Sequence, residues 1–270
     1  MASQFSLFDD DLNPAADAPP PPDASAAAAE APLAAEAASV VERASVPDEP
    51  APDPAAALEL LRATASECTR CGLAAGRTHV VFGEGNPAAP LVLVGEGPGE
   101  NEDATGRPFV GRAGKLLDEV LRRNGMTRAH VYICNVVKCR AYHLQGGRRM
   151  NRPPEPEEIS ACNPWLEEQF RIIRPHVVVC VGAPAANTII HKGFRITSER
   201  GRWFTNSPYA GWAMAVFHPA YILRLEGPAY EAALETLVED LGRARQKVIE
   251  VKRQLREAAA AAPPPRSLFD

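Results

Sequence analysis

Four short stretches carry most of the side chains in this chain that could do chemistry. The first, Gly95-Glu96-Gly97-Pro98-Gly99-Glu100-Asn101-Glu102-Asp103, sets three glycines beside a run of acids. Glycine lets backbone approach a ligand closely, and the amides exposed there can hold a carbonyl oxygen or an anion. The stretch lacks the Gly-Lys-Ser/Thr ending of a phosphate loop, and Glu100 stands where a dinucleotide fingerprint needs glycine. The plain alternative is a sharp turn with a solvated acidic flank. The second, Thr105 to Arg112, places Arg107 and Arg112 around Phe109, a pattern that suits a base stacked on a ring while cations hold phosphates. In the third, Asn135 stands close to Lys138 and Cys139. An asparagine amide offers an acceptor and a donor side by side, enough to read a ring edge of the opposite order. The fourth, Phe217-His218-Pro219-Ala220-Tyr221-Ile222-Leu223-Arg224, presents a histidine followed by a helix-breaking proline. Its imidazole could donate, accept or shuttle a proton.

The elements that must position these groups show in the hydrophobic pattern. Leu91 to Val94, Val131 to Val137, Val177 to Val181 and Ala213 to Phe217 are short, Val-rich runs of the kind that form buried parallel strands. Leu116, Leu117, Val120 and Leu121 give a helix its apolar face, ended near Gly125. Further helices are expected from Glu155 to Ile173 with Pro156 in the first turn, from Pro184 to His191, and from Pro228 to Ala258. Strands alternating with helices imply a parallel α/β sheet whose ligands bind at the carboxyl ends of the strands. Three of the four motifs directly follow such a strand or close it.

Composition narrows the class. The net charge of -5 divides into -10 for residues 1–57, where eleven acids face the single base Arg43, and +5 for the rest. That modest positive excess is compatible with phosphate contacts without establishing them. Residues 13–57, rich in Ala, Pro, Asp and Glu, are too polar to bury a core, so residues 1–57 are expected to form a disordered acidic tail. Residues 58–258 are expected to form the single catalytic domain and 259–270 a second tail. The absence of a long apolar run or a signal-like N-terminus points to a cytoplasmic protein with no membrane span, and a monomer is expected. Six cysteines, with Cys68 and Cys71 spaced Cys-x-x-Cys, suggest metal or redox chemistry in a reducing compartment more than a disulfide framework. Cys134 and Cys180 sit inside apolar strands and are expected to be plain buried hydrophobes.

With these motifs in this order, residues 58–245 resemble family 4 uracil-DNA glycosylases. The resemblance rests on Gly95 to Gly99, Thr105 to Gly111, Asn135-Val136-Val137-Lys138-Cys139-Arg140, and His218 to Arg224. It implies a three-layer α/β/α sandwich around a central four-stranded parallel sheet, and hydrolysis of the N-glycosidic bond of uracil flipped out of DNA. It also implies a [4Fe-4S] cluster on Cys68, Cys71, Cys139 and Cys162; spacing alone leaves zinc possible. By the same resemblance Phe109 stacks on the base, Gly97 lies against it, and Asn135 reads uracil N3-H and O4. His218 bonds O2, and Glu96 or Glu102 positions water or stabilises a cationic sugar. Arg107, Arg112 and Arg224 are the expected DNA contacts.

The chain departs from the pattern at two places. Ala220 stands where Ser is common, and the segment Arg140 to Ala161 is longer than in the compact family form. Its length resembles the loop of relatives that become covalently trapped on DNA through a histidine, but the comparable position here is Asn151, and Gly97 replaces that group's glutamine, so turnover is expected. A non-enzymatic iron-sulfur DNA-binding adaptor is the other reading. The terminal peptides Gln4-Phe5-Ser6-Leu7-Phe8 and Arg266-Ser267-Leu268-Phe269 resemble those that dock repair proteins on the bacterial sliding clamp.

Overall fold

A computed structural model of the chain describes residues 53–205 and 207–261. The tail before residue 53 and both terminal peptides lie outside these residues. Five strands form the main sheet in the order β1 (Glu84–Gly85), β3 (Tyr132–Asn135), β2 (Leu91–Gly95), β6 (Val177–Val181) and β7 (Trp212–Val216). The last four are mutually parallel, as expected, and β1 adds a two-residue antiparallel edge against β3.

Alternation along the strands builds the layers. Val92, Val94, Val178 and Cys180 face one side, where they pack with Leu58 of α1 (Pro54–Ser66), Trp165, Leu166 and Phe170 of α4 (Pro156–Ile173), and Ala185, Ala186 and Ile189 of α5 (Ala183–Ile189). Leu91, Leu93, Val179 and Val181 face the other, against Leu117 and Leu121 of α3 (Arg112–Arg123) and Leu237 and Leu241 of α8 (Gly227–Ala261). Both faces of the sheet are covered, which is why its strands are apolar throughout. Cys134 and Cys180 are buried in the first of these clusters and act as small hydrophobes.

Several boundaries differ from the sequence reading; β3 is shorter than the run Val131 to Val137, and α5 ends at Ile189, two residues before His191. Helix α1 begins at Pro54, inside the stretch assigned to the tail, because the Asp53 side chain accepts the Ala55 N–H and proline suits the first helical position. Helix α8 runs three residues past Ala258. The long segment after Cys139 is no loose loop: β4 (Tyr142–Gln145) and β5 (Arg148–Asn151) pair as a separate antiparallel hairpin. The remaining short helices are α2 (Glu100–Thr105), α6 (Ile196–Glu199) and α7 (Pro219–Ile222). Among the described residues no helix is long and apolar enough to cross a membrane.

Candidate active site

The carboxyl ends of β2, β3, β6 and β7 open on one cavity of 380 Å³. Its wall brings together Glu96, Gly97, Glu102, Phe109, Asn135 and His218, with Arg112 and Arg224 also on its lining. Gly95 is the point where the ends converge. A methyl group added to it would run into Asn135 Oδ1 and the tip of the Phe109 ring, so only glycine lets amide and ring meet there. Asn135 is 2 % exposed and paired with Gly95 in register.

Phe109 is held in an unusual backbone state. Its φ of 53° lies in the left-handed region, which costs a bulky residue about 1–3 kcal/mol and persists only when its surroundings enforce it. Two devices do so. Arg128 donates to the Pro108 carbonyl at 2.8 Å and to the Phe109 carbonyl, and is itself held by Glu84 and Asp118. Burial alone would raise the Glu84 carboxyl, but hydrogen bonds from Arg107 and Arg128 outweigh it and hold the group below the ordinary carboxylate range. From the other side, the Val110 and Gly111 N–H groups both donate to Glu102 Oε1 at 2.8 Å, and the Gly99 N–H donates to Oε2 at 3.1 Å. One carboxylate thus ties the glycine loop to the Phe109 loop. Gly114 completes the fit, since any side chain there would strike the Phe109 carbonyl.

His218 caps α7, its Nδ1 accepting the Ala220 N–H at 3.0 Å. A neutral ring with Nδ1 so engaged carries its proton on Nε2. The rings of Phe109 and His218 stack at 29° to each other with centroids 5.9 Å apart. Alanine at position 220 supplies this capping amide as well as serine would.

One expectation changes, and one residue lies where its charge would not suggest. Arg107 is not on the cavity wall; it pairs with Glu84 at 2.7 Å and is 62 % exposed, beside the site's support. Lys138, next to Cys139 in the sequence, is 1 % exposed, with Nζ donating to the Asn135 carbonyl at 2.7 Å and to Gln169 Oε1 at 2.6 Å. It braces Asn135 from behind and cannot reach DNA. Asn151, singled out in the sequence as the counterpart of a trapping histidine, is on the wall, and other wall residues escaped the sequence reading: Gly182 to Pro184, Thr197, and Arg152 to Pro154. Gly182 could have been found, because a glycine directly after the buried strand Val177–Val181 is the same signal that marked Gly95.

Behind the first cavity lies a second, lined by Cys68, Cys71, Cys139 and Cys162 together with Arg77, Lys138 and Trp165. Three sulfurs receive N–H donors: Trp165 Nε1 to Cys68 at 3.3 Å, the Lys138 amide to Cys162 at 3.2 Å, and Arg77 to Cys139 at 3.6 Å. Burial pushes the Cys139 thiol up to about 11 against the opposing pull of Arg77. Among the described residues, no group of three or more His, Cys, Asp or Glu side chains is gathered so that it could hold a metal ion.

A sequence model of the uracil DNA glycosylase superfamily matches residues 82–242, well over half of the chain. The chain belongs to that superfamily. Its matched region holds β1 through β7 and every named residue of the first cavity, as well as Cys139 and Cys162 of the second. Within the superfamily, the chain is 47 % identical over 171 residues to the type-4 uracil-DNA glycosylase of Thermotoga maritima, covering 62 % of this chain and 83 % of that protein. It is 40 % identical over 204 residues to the type-4 enzyme of Sulfurisphaera tokodaii, covering 73 % and 87 %. A type-5 uracil-DNA glycosylase from Thermus thermophilus is 29 % identical over 147 residues, covering 48 % and 64 %.

Proposed function

We propose that this chain is a type-4 uracil-DNA glycosylase, hydrolysing the N-glycosidic bond of uracil turned out of DNA and leaving an abasic site. The observation that carries the reading is the meeting of the Asn135 amide and the Phe109 ring over Gly95, in a cavity on which His218 also opens. The amide pairs its oxygen with uracil N3-H and its nitrogen with O4. Cytosine presents the reverse polarity and is refused. The ring stacks on the base face, and the strained backbone beneath fixes its plane.

As the bond between N1 and C1′ breaks, its electron pair moves onto the ring and O2 gains charge. His218, protonated on Nε2, donates to O2 and binds the departing base more strongly than the substrate, which lowers the barrier. Cleavage leaves C1′ with oxocarbenium character, water adds there, and its proton is released. Glu96, at the head of the glycine loop, supplies the carboxylate facing that cation. Glu102, whose oxygens are already engaged by three backbone amides, holds the two loops in place.

The four thiols of the second cavity fit an iron-sulfur cluster by their chemistry. They are soft donors from three segments, the Cys68–Cys71 turn, the chain after β3 and helix α4, and N–H groups are aimed at three of the sulfurs. When bound, a [4Fe-4S] cluster supplies iron–thiolate bonds joining Cys68, Cys71, Cys139 and Cys162. The enzyme acts in the cytoplasm as a monomer, with Gln4 to Phe8 and Arg266 to Phe269 docking on the sliding clamp.

Incubating the protein with a duplex carrying one uracil, then treating with alkali, tests the activity. Strand cleavage at uracil, and none at cytosine, is expected. A product that migrates as a protein–DNA adduct would instead identify a covalent trap, favoured by nothing at Asn151, whose Oδ1 accepts from Arg140 at 2.7 Å. Intact DNA would leave an inert adaptor.

A further inference from the structure

His218 reaches the cavity from a stretch of chain that has already left the sheet. The parallel pairing of β7 with β6 ends at Val216, opposite Val181, and His218 follows two residues later as the cap of α7. Between them stands Phe217, half-buried on the cavity wall, and its ring is held from the side. The Arg200 guanidinium lies over it, 4.9 Å from the centroid, and the Tyr221 ring packs against it at 5.2 Å. Arg200 is itself anchored: its Nη1 donates to Asp240 Oδ2 at 2.6 Å, and Asp240, on α8, is 3 % exposed. Arg243 approaches the other oxygen of that carboxylate at 3.6 Å. The backbone around Arg200 is shaped for this approach. The Arg200 N–H donates to the Ile196 carbonyl at 3.2 Å and closes α6, and the Gly201 N–H donates to the Ala215 carbonyl of β7 at 2.9 Å. Gly201 has a φ of 71°, and a methyl group there would come within 2.9 Å of Asp240 Oδ1, so glycine is what lets this loop sit against the carboxylate.

Stability does not explain the pair. Burial pushes the Asp240 carboxyl up although Arg200 and Arg243 pull it down, and a buried ion pair whose desolvation outweighs its attraction adds little to folding. Its position does explain it. Arg200 joins α8 to the end of α6, whose Ile196 and Thr197 line the cavity, and to the residue before His218. We propose that Arg200, anchored by Asp240, is a positioning residue for the reaction: by clamping the Phe217 ring it fixes the backbone from which His218 meets the base. A cation over a ring and a short charged hydrogen bond are both directional, so the clamp sets orientation as well as distance. The proposal rests on the glycosylase reading and adds the residues that aim its histidine.

Acting through His218 and acting beside it give different double-mutant cycles. Single-turnover excision from a uracil duplex at saturating enzyme is measured for the wild type, the pair variant Arg200→Met with Asp240→Leu, His218→Ala, and all three changes together. Replacing both charged partners strands no buried carboxylate, so the pair variant should melt close to the wild type. A misplacement of about 1 Å can cost 10²-fold and a loosened ring less, so the pair variant should slow wild-type excision by about tenfold. In the His218→Ala background the same change should cost less than about twofold. Equal factors in the two backgrounds would make Arg200 a separate DNA contact or a general support and overturn the proposal, as would an unchanged wild-type rate. Phe217→Leu breaks the clamp from its other side without burying a charge; it should give the same pattern, and it replaces the pair variant if that does not fold. Nuclear magnetic resonance of the DNA-free, full-length protein labelled at histidine reads the link without activity. The His218 ring signals, assigned by their loss in His218→Ala, should shift or broaden in the clamp variants while those of His79, His130, His143 and His176 stay in place; unmoved His218 signals overturn the clamp. A wild type that leaves uracil in the duplex overturns the glycosylase reading, and the His218 signals then decide the clamp alone.

Discussion

Replacing Glu102 by glutamine and by alanine distinguishes a brace from a base. In the brace, glutamine keeps its carbonyl oxygen for the Val110 and Gly111 amides and turns its NH₂ toward the Gly99 N–H, where donor meets donor. One charge-assisted hydrogen bond is lost, about 1.5–3 kcal/mol. Alanine loses all three, and because such losses overlap, about 3–5 kcal/mol is expected. For a domain of this size that lowers the melting temperature by roughly 5 °C for Glu102→Gln and by 10 °C or more for Glu102→Ala. Excision at 25 °C should remain within about tenfold of wild type for glutamine and drop further for alanine as the Phe109 loop loosens. A proton acceptor would behave otherwise, since glutamine cannot take a proton and the rate would fall by about 10²–10⁴ with little change in melting. Single-turnover rates beside thermal denaturation decide it. A Glu102→Gln enzyme as slow as Glu102→Ala, yet melting like the wild type, refutes the brace. Glu96→Gln serves as the contrast, with rate lost and melting unchanged.

Four other outcomes are expected. Gly95→Ala should drive the Asn135 amide and the Phe109 ring apart and cut excision by about 10² or more, while binding to undamaged DNA stays the same, as gel shifts can measure. His218→Ala should slow the chemical step by about 10², and an unchanged single-turnover rate would remove it from the mechanism. Cys71→Ser or Cys162→Ser should yield colourless protein that melts earlier, against brown wild type with about four irons per chain by metal analysis; zinc alone after anaerobic purification would contradict this. Glu158, whose carboxyl is held below its usual range chiefly by Arg152, contributes stability present above its unfolded value and lost as pH falls through its folded one. Acid melting curves should therefore show Glu158→Gln and wild type converging at low pH, with the difference largest at neutral pH.

The sheet was legible in the sequence because parallel strands buried on both faces must be continuous runs such as Val177 to Val181, and no other pattern competes. The strand ends placed Asn135 and His218 at the carboxyl edge of the sheet, while the roles expected of them came from the family resemblance. What stayed hidden depends on distance along the chain. Arg128 looks like any surface arginine until folding brings it to carbonyls about twenty positions away, and Lys138 looks like a surface cation although it is buried. Helix α1 was concealed by its alanines, which favour helix but also mark low-complexity linkers. In the hairpin, Gly146-Gly147 was a turn signal, but the flanking residues lack the alternating apolar face that normally announces strands.

Helix α4 presents Cys162, Trp165 and Gln169 at spacings of three and four, hence along one stripe. The first two meet the thiol cavity, and the third grips Lys138, which holds the Asn135 carbonyl. A designer wishing to move the four cysteines into another α/β scaffold could not transplant them as an isolated motif. The whole stripe and the buried lysine would have to travel with them, because the helix that lines the thiol cavity also fixes, through Gln169 and Lys138, the backbone of Asn135.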